Sequence, residues 1–232
     1  MINLIRILTF VVAVAITISG IFFIDADREF VQAKQAYKSG DMDQALRMAR
    51  RANRAFSEDN KKIAAFYLQA RAASKMNWDK QAKIYLDHLL EINEENTRAL
   101  LYRGELEFKL GKDQDALRDL NKGLNAAPDN ISATERAYFL SQRGLAHLSL
   151  KQPFEAEKDA IEALNLATNL PEAHDLMSKV FEQKGEIKKA LDECESAYQL
   201  SLENNKLFFT TPEGRLLSDR LVKLRGKYLL SK

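Results

Sequence analysis

The feature that most constrains this chain is a pattern of small residues that returns five times in register after residue 25. Self-similarity at a fixed period points to a repeat architecture before any local element is assigned. In one copy Gly104, Gly111, Ala116, Leu120, Gly123, Leu124 and Pro128 stand at fixed offsets, and Ser178, Gly185, Ala190, Cys194, Ala197, Tyr198 and Leu202 repeat them. Between these lie Gly144, Lys151, Ala156, Ala160, Ala163 and Leu164. Upstream the same frame holds Ala70, Asn77, Ala82, Leu86, Leu89 and Leu90, and before them Ala33, Gly40, Ala45, Ala49 and Ala52. Small side chains at repeated positions let two helix backbones approach where a Leu would overpack. Gly40, Gly111 and Gly185 supply the left-handed residue that ends the first helix of each pair. Asn77 and Lys151 take that place in copies two and four, so those turns are expected to be less ideal. Pro153 is expected to open the following helix.

The register resembles the tetratricopeptide repeat, a helix–turn–helix unit of about 34 residues. Five copies fall at 26–59, 63–96, 97–130, 137–170 and 171–204. The resemblance implies an all-α, right-handed superhelical solenoid over 26–204. Joints rich in Asn, Asp or Pro (Asn93 to Asn96, Pro128-Asp129-Asn130, Asn169-Leu170-Pro171) close each copy. Six residues separate copies three and four, and Ser132 with Glu135 three places on predicts a capping box that extends a helix toward its N-terminus. No stretch reads as an interdomain hinge. Residues 205–232 depart from the repeat: Thr211 caps a helix opened by Pro212 and Glu213, and Leu217, Leu221, Leu224 and Tyr228 form one apolar stripe. That segment reads as the polar-outside terminal helix a solenoid needs, with Arg215, Arg220, Lys223, Arg225 and Lys227 as a solvated face.

Ahead of the repeats, no residue from Ile7 to Ile24 is charged. About 18 residues at 1.5 Å each cover roughly 27 Å, close to the hydrocarbon thickness of a bilayer. Residues 1–25 are therefore read as a transmembrane signal-anchor. Arg6 and the α-amine precede the run and Asp25 and Asp27 follow it, which places the N-terminus in the cytoplasm and the repeats in the periplasm. The rival reading is a cleaved signal peptide with a soluble periplasmic product. It fits less well, because the run exceeds the usual 7–15 apolar residues and the candidate cleavage sites are poor.

Composition narrows the function. Thirty-five basic residues against 33 acidic ones argue against nucleic-acid binding, which draws on phosphate neutralisation. Cys194 is the single cysteine. At a small core position of a second helix it should be an inert, buried thiol. His147 and His174 fall at packing positions of first helices and His88 near solvent, and no His–x–x–x–His or Cys–x–x–Cys spacing suggests a metal site. Phosphate-binding loops and nucleophile elbows are absent from the sequence, so no cofactor, small-molecule substrate or catalytic residue is expected. Trp78, at the turn of copy two, is expected to pack.

What the resemblance implies is a protein-binding groove lined by the first helices. In this frame the lining is Phe30, Tyr37, Tyr67, Arg71, Lys75, Arg98, Leu101, Tyr102, Phe108, Lys109, Tyr138 and Leu145. Leu68, Gln142 and Leu148 share that lining, and Glu172, Asp175, Lys179 and Glu182 make the last copy acidic. Lys34, Lys38, Arg71, Lys75 and Lys109 would form a basic edge, suited to an apolar partner segment bearing some acids. The asparagines of chaperone-tail clamps are missing from these positions. The expected role is a membrane-anchored scaffold for proteins of a bacterial envelope complex. The alternative is a cytosol-facing receptor on an organelle membrane, similar to import receptors, which needs the opposite orientation.

Overall fold

The computed structural model describes residues 25–126 and 131–230. The apolar run Ile7–Ile24 and the joint Pro128-Asp129-Asn130 lie outside them. Among the described residues there are eleven α-helices, a 3₁₀ turn and no strand. No helix among them is long and apolar enough to cross a membrane. The chain divides into two compact units, one up to Glu94 and one from Glu95.

The N-terminal unit holds α1 (Ala26–Ser39), α2 (Met42–Ala55), α3 (Asp59–Lys75) and α4 (Asp79–Ile92). Asp25 and Asp41 cap α1 and α2, each accepting a backbone N–H three residues on at 3.0 and 2.9 Å. Helices pair as α1 with α2 and α3 with α4, and α2 also packs on α3. Ala33, Ala45, Ala49, Ala52, Ala65, Ala72, Ala73 and Ala82 are fully buried where these helices meet. The small positions of the repeat thus serve close helix packing.

The C-terminal unit holds α5 (Thr97–Lys109), α6 (Asp113–Ala126), α7 (Ala133–Ser149), α8 (Pro153–Leu166), α9 (Pro171–Gln183), α10 (Ile187–Asn204) and α11 (Pro212–Leu230). Each helix packs on its chain neighbour, and the first helices α5, α7 and α9 also touch in succession. A Cβ at Gly104 would stand 2.8 Å from Leu120 Cγ and 3.1 Å from the Ala116 carbonyl, so the α5–α6 approach depends on its absence. The capping box forms in both directions: Glu135 N–H donates to Ser132 Oγ at 3.1 Å, and Ser132 N–H donates to the Glu135 carboxylate at 3.0 Å. Pro153 opens α8 as expected.

The turns bear out the frame. Gly40, Gly111 and Gly185 have φ of 87°, 74° and 77°, and Asn77 and Lys151 adopt the same left-handed conformation at 59° and 60°. Both substitutes accept the backbone the turn dictates, at a cost glycine does not carry. Trp78 is 50% exposed, so the expected packing is not what that ring chiefly does.

The last helix forms as its sequence predicts. Thr211 Oγ1 accepts the Gly214 N–H at 3.0 Å. Leu221 and Leu224 are buried, with Leu217 and Tyr228 packed beside them against Ala190, Leu191 and Cys194.

Candidate functional site: the first-helix faces

In the N-terminal unit the cations of α1 and α3 lie over aromatic rings. Lys34 Nζ sits 5.0 Å from the centre of Phe30, and the Arg71 guanidinium lies 5.3 Å from Tyr37 and 6.0 Å from Tyr67. Phe30 meets Phe56 edge-on at 5.8 Å and closes the small core around Ala52 and Ala65. Tyr37 packs on Ala33, Ala49 and Leu68. Lys38 and Lys75 are not buried. In this unit Lys34 and Arg71 are thus stacked on aromatic side chains of α1 and α3.

The C-terminal unit is different. Lys109 reaches the Glu105 carboxylate at 2.8 Å, so this cation is engaged one helical turn away. Arg98, exposed at the start of α5, lies 3.7 Å from Glu135. Tyr102 and Tyr138 each meet Phe139 edge-on, at 5.1 and 5.2 Å. Burial, followed by the charge of Glu105 and a hydrogen bond to it, pushes the Tyr138 phenol far above its ordinary range. Burial also raises the Glu172 carboxyl, and the charges of Asp175 and Glu105 add to the shift. Glu172 has no ion-pair partner among the described residues. Two turns further along the same three helices, Phe108, Leu145, Leu148, Lys179 and Glu182 line a recess of about 380 Å³.

Several expected lining residues lie elsewhere. Leu101 is fully buried among Leu120, Leu124 and Leu140, because its position faces the partner helix α6 and not the groove. Leu68 and Gln142 are also buried, 8% and 9% exposed. The acidic face of the last copy is largely neutralised by α11. Arg220 bonds Asp175 and, at 2.5 Å, Ser178 Oγ, while Lys227 reaches Glu182 at 2.7 Å. Burial alone would raise the Asp175 carboxyl, but Lys179 and Arg220 outweigh it and lower it. The basic stripe of α11 is therefore not simply solvated: Arg225 too is paired, with Glu195 at 2.9 Å.

The histidines are engaged by polar groups. His174 Nδ1 lies 2.7 Å from Glu193 and Nε2 2.9 Å from the Thr168 carbonyl, and the Glu193 bond raises its pKa against the opposing effect of burial. His147 Nδ1 meets Gln152 at 2.7 Å, and His88 Nδ1 meets Glu91 at 3.1 Å on an exposed face. Cys194 is fully buried, and burial pushes its thiol up. Among the described residues no group of three or more His, Cys, Asp or Glu could hold a metal ion.

Two buried pairs escaped the sequence reading. Arg103 grips Asp119 at 2.5 and 3.0 Å, and Arg143 grips Asp159 at 2.9 and 2.5 Å, each with two parallel bonds. An Arg followed by an Asp sixteen residues later, in two successive copies, was the available signal. Both pairs tie the two helices of one repeat together.

No protein-family model matches this sequence, and no curated protein matches it either. Similarity appears in solved structures. A MamA chain from Desulfovibrio magneticus RS-1 superposes with a TM-score of 0.65 at 18% identity, over 78% of this chain and 98% of that one. PilF from Pseudomonas aeruginosa gives 0.61 at 19% identity, over 88% and 91%. A thermophilic TPR protein of Thermus thermophilus gives 0.58 at 21% identity, over 86% and 98%. Repeated helix pairs in this register, together with these structural neighbours, give the chain the tetratricopeptide-repeat fold.

Proposed function

We propose that this chain is a non-enzymatic, membrane-anchored adaptor that holds a segment of a partner protein on the first helices of its C-terminal unit, in the assembly or maturation of a bacterial envelope complex. The observation that carries the reading is the two-level face of α5, α7 and α9. An apolar recess at Phe108 and Leu145 lies two helical turns, about 10 Å, from the carboxylate of Glu172 beside Tyr138. Aromatic side chains at such positions are the usual anchors of an interface. A desolvated acid lacking a cation favours a basic group on the ligand. The partner segment therefore carries an apolar side chain for the recess and a Lys or Arg about 10 Å from it. This reverses, for the C-terminal unit, the polarity expected from the sequence, since Lys109 is already held by Glu105.

The test is photo-crosslinking from p-benzoylphenylalanine at Phe108 in cells, followed by identification of the captured protein. Capture should fall at least tenfold with Glu172→Lys, while the same probe at the exposed Ile161 of α8 captures nothing specific. Equal capture from both positions, or indifference to Glu172→Lys, would reject the reading. Tethering rests on the uncharged run Ile7–Ile24 with Arg6 before it and Asp25 and Asp27 after it. A C-terminal alkaline phosphatase fusion should be active and remain in the membrane fraction. An inactive fusion would favour the cytosol-facing receptor instead, and an active but soluble one would indicate cleavage.

A further inference from the structure

The exposed side of α2 is built of arginine. Arg47, Arg50, Arg51 and Arg54 follow one another at spacings of 3, 1 and 3, which at 100° per residue gathers them into one arc of about 100°. The arc lies opposite the buried Ala45, Ala49 and Ala52, and all four arginines are exposed. Other helix cations are answered four residues away, as Lys83 is by Asp87, Lys179 by Asp175 and Lys188 by Asp192. In α2 only Arg47 has such an acid, Asp43. The pairs Arg47 with Arg51 and Arg50 with Arg54 set like charges four residues apart, which weakens a helix. An anion from outside the unit relieves that repulsion. Arg50 Nε donates to the Tyr85 hydroxyl at 2.7 Å, a neutral partner that leaves its charge available.

The position of the stripe identifies the anion. The uncharged run ends at Ile24, and α1 begins at Ala26. Arg51 lies 3.4 Å from Glu29, so the second half of α2 rests against the first turn of α1. The stripe therefore starts at the end of the hairpin to which the run is joined. Its four arginines span about 10 Å of helix, comparable with the Debye length of about 8 Å over which an anionic surface acts. The acids that follow the run are met within the unit: Lys61 Nζ bonds Asp27 at 2.9 Å, and Glu29 faces Arg51. Arg28 and Arg54 are left without an ion-pair partner among the described residues. A guanidinium binds phosphate oxygens through two parallel N–H bonds, the match that lipid headgroups offer. An acidic protein segment would gain nothing from this position beside the run.

Given the tether proposed above, we infer that the arginine face of α2 binds the anionic phospholipid headgroups of the membrane that holds the chain, and lays the N-terminal unit against the bilayer. The test uses the full-length chain in nanodiscs, with a fluorophore on the thiol introduced by Ala55→Cys at the end of α2. Cys194 is fully buried and does not compete for the label. Quenching by a headgroup-nitroxide lipid should be at least threefold stronger in discs containing phosphatidylglycerol than in phosphatidylcholine alone. Arg47→Gln with Arg54→Gln should return it to the phosphatidylcholine level. Lys38→Gln with Lys80→Gln, the same charge change beside the turns at the other end of these helices, should leave it unchanged. Circular dichroism checks that each variant stays helical. Equal quenching in both lipids, or equal loss from the arginine and lysine variants, would overturn the inference while leaving the tether standing; capture of a protein that depends on Arg54 would then assign the stripe to an acidic partner. A chain that leaves neutral discs but stays on anionic ones through Arg47 and Arg54 would sink the tether and keep the lipid site. A chain that stays on neither would overturn both.

Discussion

The two units share one helix pair as their building block yet use polar residues in opposite ways. Up to residue 94 no carboxylate residue is buried among the described residues, and the cations of the first helices lie on aromatic rings. From residue 95 onward four carboxylate residues are buried, Glu105, Glu107, Asp119 and Asp159. Small residues at the helix contacts fix the backbone in both units, so the large positions are free to diverge. A cation on a partly exposed ring contributes only about 0.5–1 kcal/mol and can slide. A desolvated carboxylate must be held by defined partners or it destabilises the fold. The C-terminal unit therefore presents a specified surface, and the N-terminal unit an adaptable one.

The sharpest way to break that contrast is to remove a buried acid. Asp159→Ala leaves the Arg143 side chain, only 18% exposed, without the carboxylate that holds it and with Asn121 Oδ1 at 2.9 Å as a neutral acceptor. The expected loss is about 3–5 kcal/mol of the C-terminal unit's stability, the usual cost of stranding one member of a buried pair. Gln69 stands at the position of Arg143 in the repeat frame, and its side chain donates to the Ala65 carbonyl at 3.2 Å. Gln69→Ala should cost about 1 kcal/mol in the N-terminal unit. Urea titrations followed by far-UV circular dichroism and by Trp78 fluorescence would measure both. Equal losses at the two sites would dissolve the distinction.

Turn residues give a smaller, two-sided comparison. Lys151 and Asn77 both hold a left-handed backbone, but asparagine enters that region more readily than lysine. Lys151→Gly should stabilise the C-terminal unit by about 0.5–1 kcal/mol, after allowance for the looser unfolded chain. Asn77→Gly should change the N-terminal unit by only a few tenths. Gly185→Lys, the reverse experiment, should cost about 1–2 kcal/mol. If Lys151→Gly destabilises instead, the Lys151 side chain contributes something beyond the turn.

Local signals were legible in the sequence because their physics is local. Ser132 with Glu135, Thr211 with Pro212, Pro153, and the stripe from Leu217 to Tyr228 each act within a few turns of a helix, and each appears as its spacing predicts. The groove was harder to trace. Leu101 and Tyr102 are adjacent, but 100° of helix rotation sends one into the core and leaves the other half-buried on the face. The charge of the last copy could not be judged from its own residues, since Arg220 and Lys227 arrive from 45 residues away. Polar contacts across that separation depend on the stacking of helices. No periodicity within one copy records them.

The smallest effect is expected from His174, and it distinguishes a structural ion pair from simple packing. Both ring nitrogens face acceptors, the Glu193 carboxylate at 2.7 Å and the Thr168 carbonyl at 2.9 Å. A neutral imidazole has one N–H and satisfies only one of them, so the geometry selects the imidazolium. Consistently, the Glu193 bond leads the causes that raise the His174 pKa above 6.5, with burial opposing it. A group whose pKa is higher in the folded than in the unfolded chain stabilises the fold fully below the unfolded value. That contribution fades as pH rises through the folded value. The C-terminal unit should therefore lose a modest part of its stability from about pH 6.5 upward, read as a falling urea midpoint with an unchanged slope. His174→Gln keeps a side-chain donor without a titrating group, so it should flatten the part of the profile that belongs to this residue. A variant whose midpoint still falls by the same amount over that range would show that the imidazolium contributes nothing to holding α9 against α10.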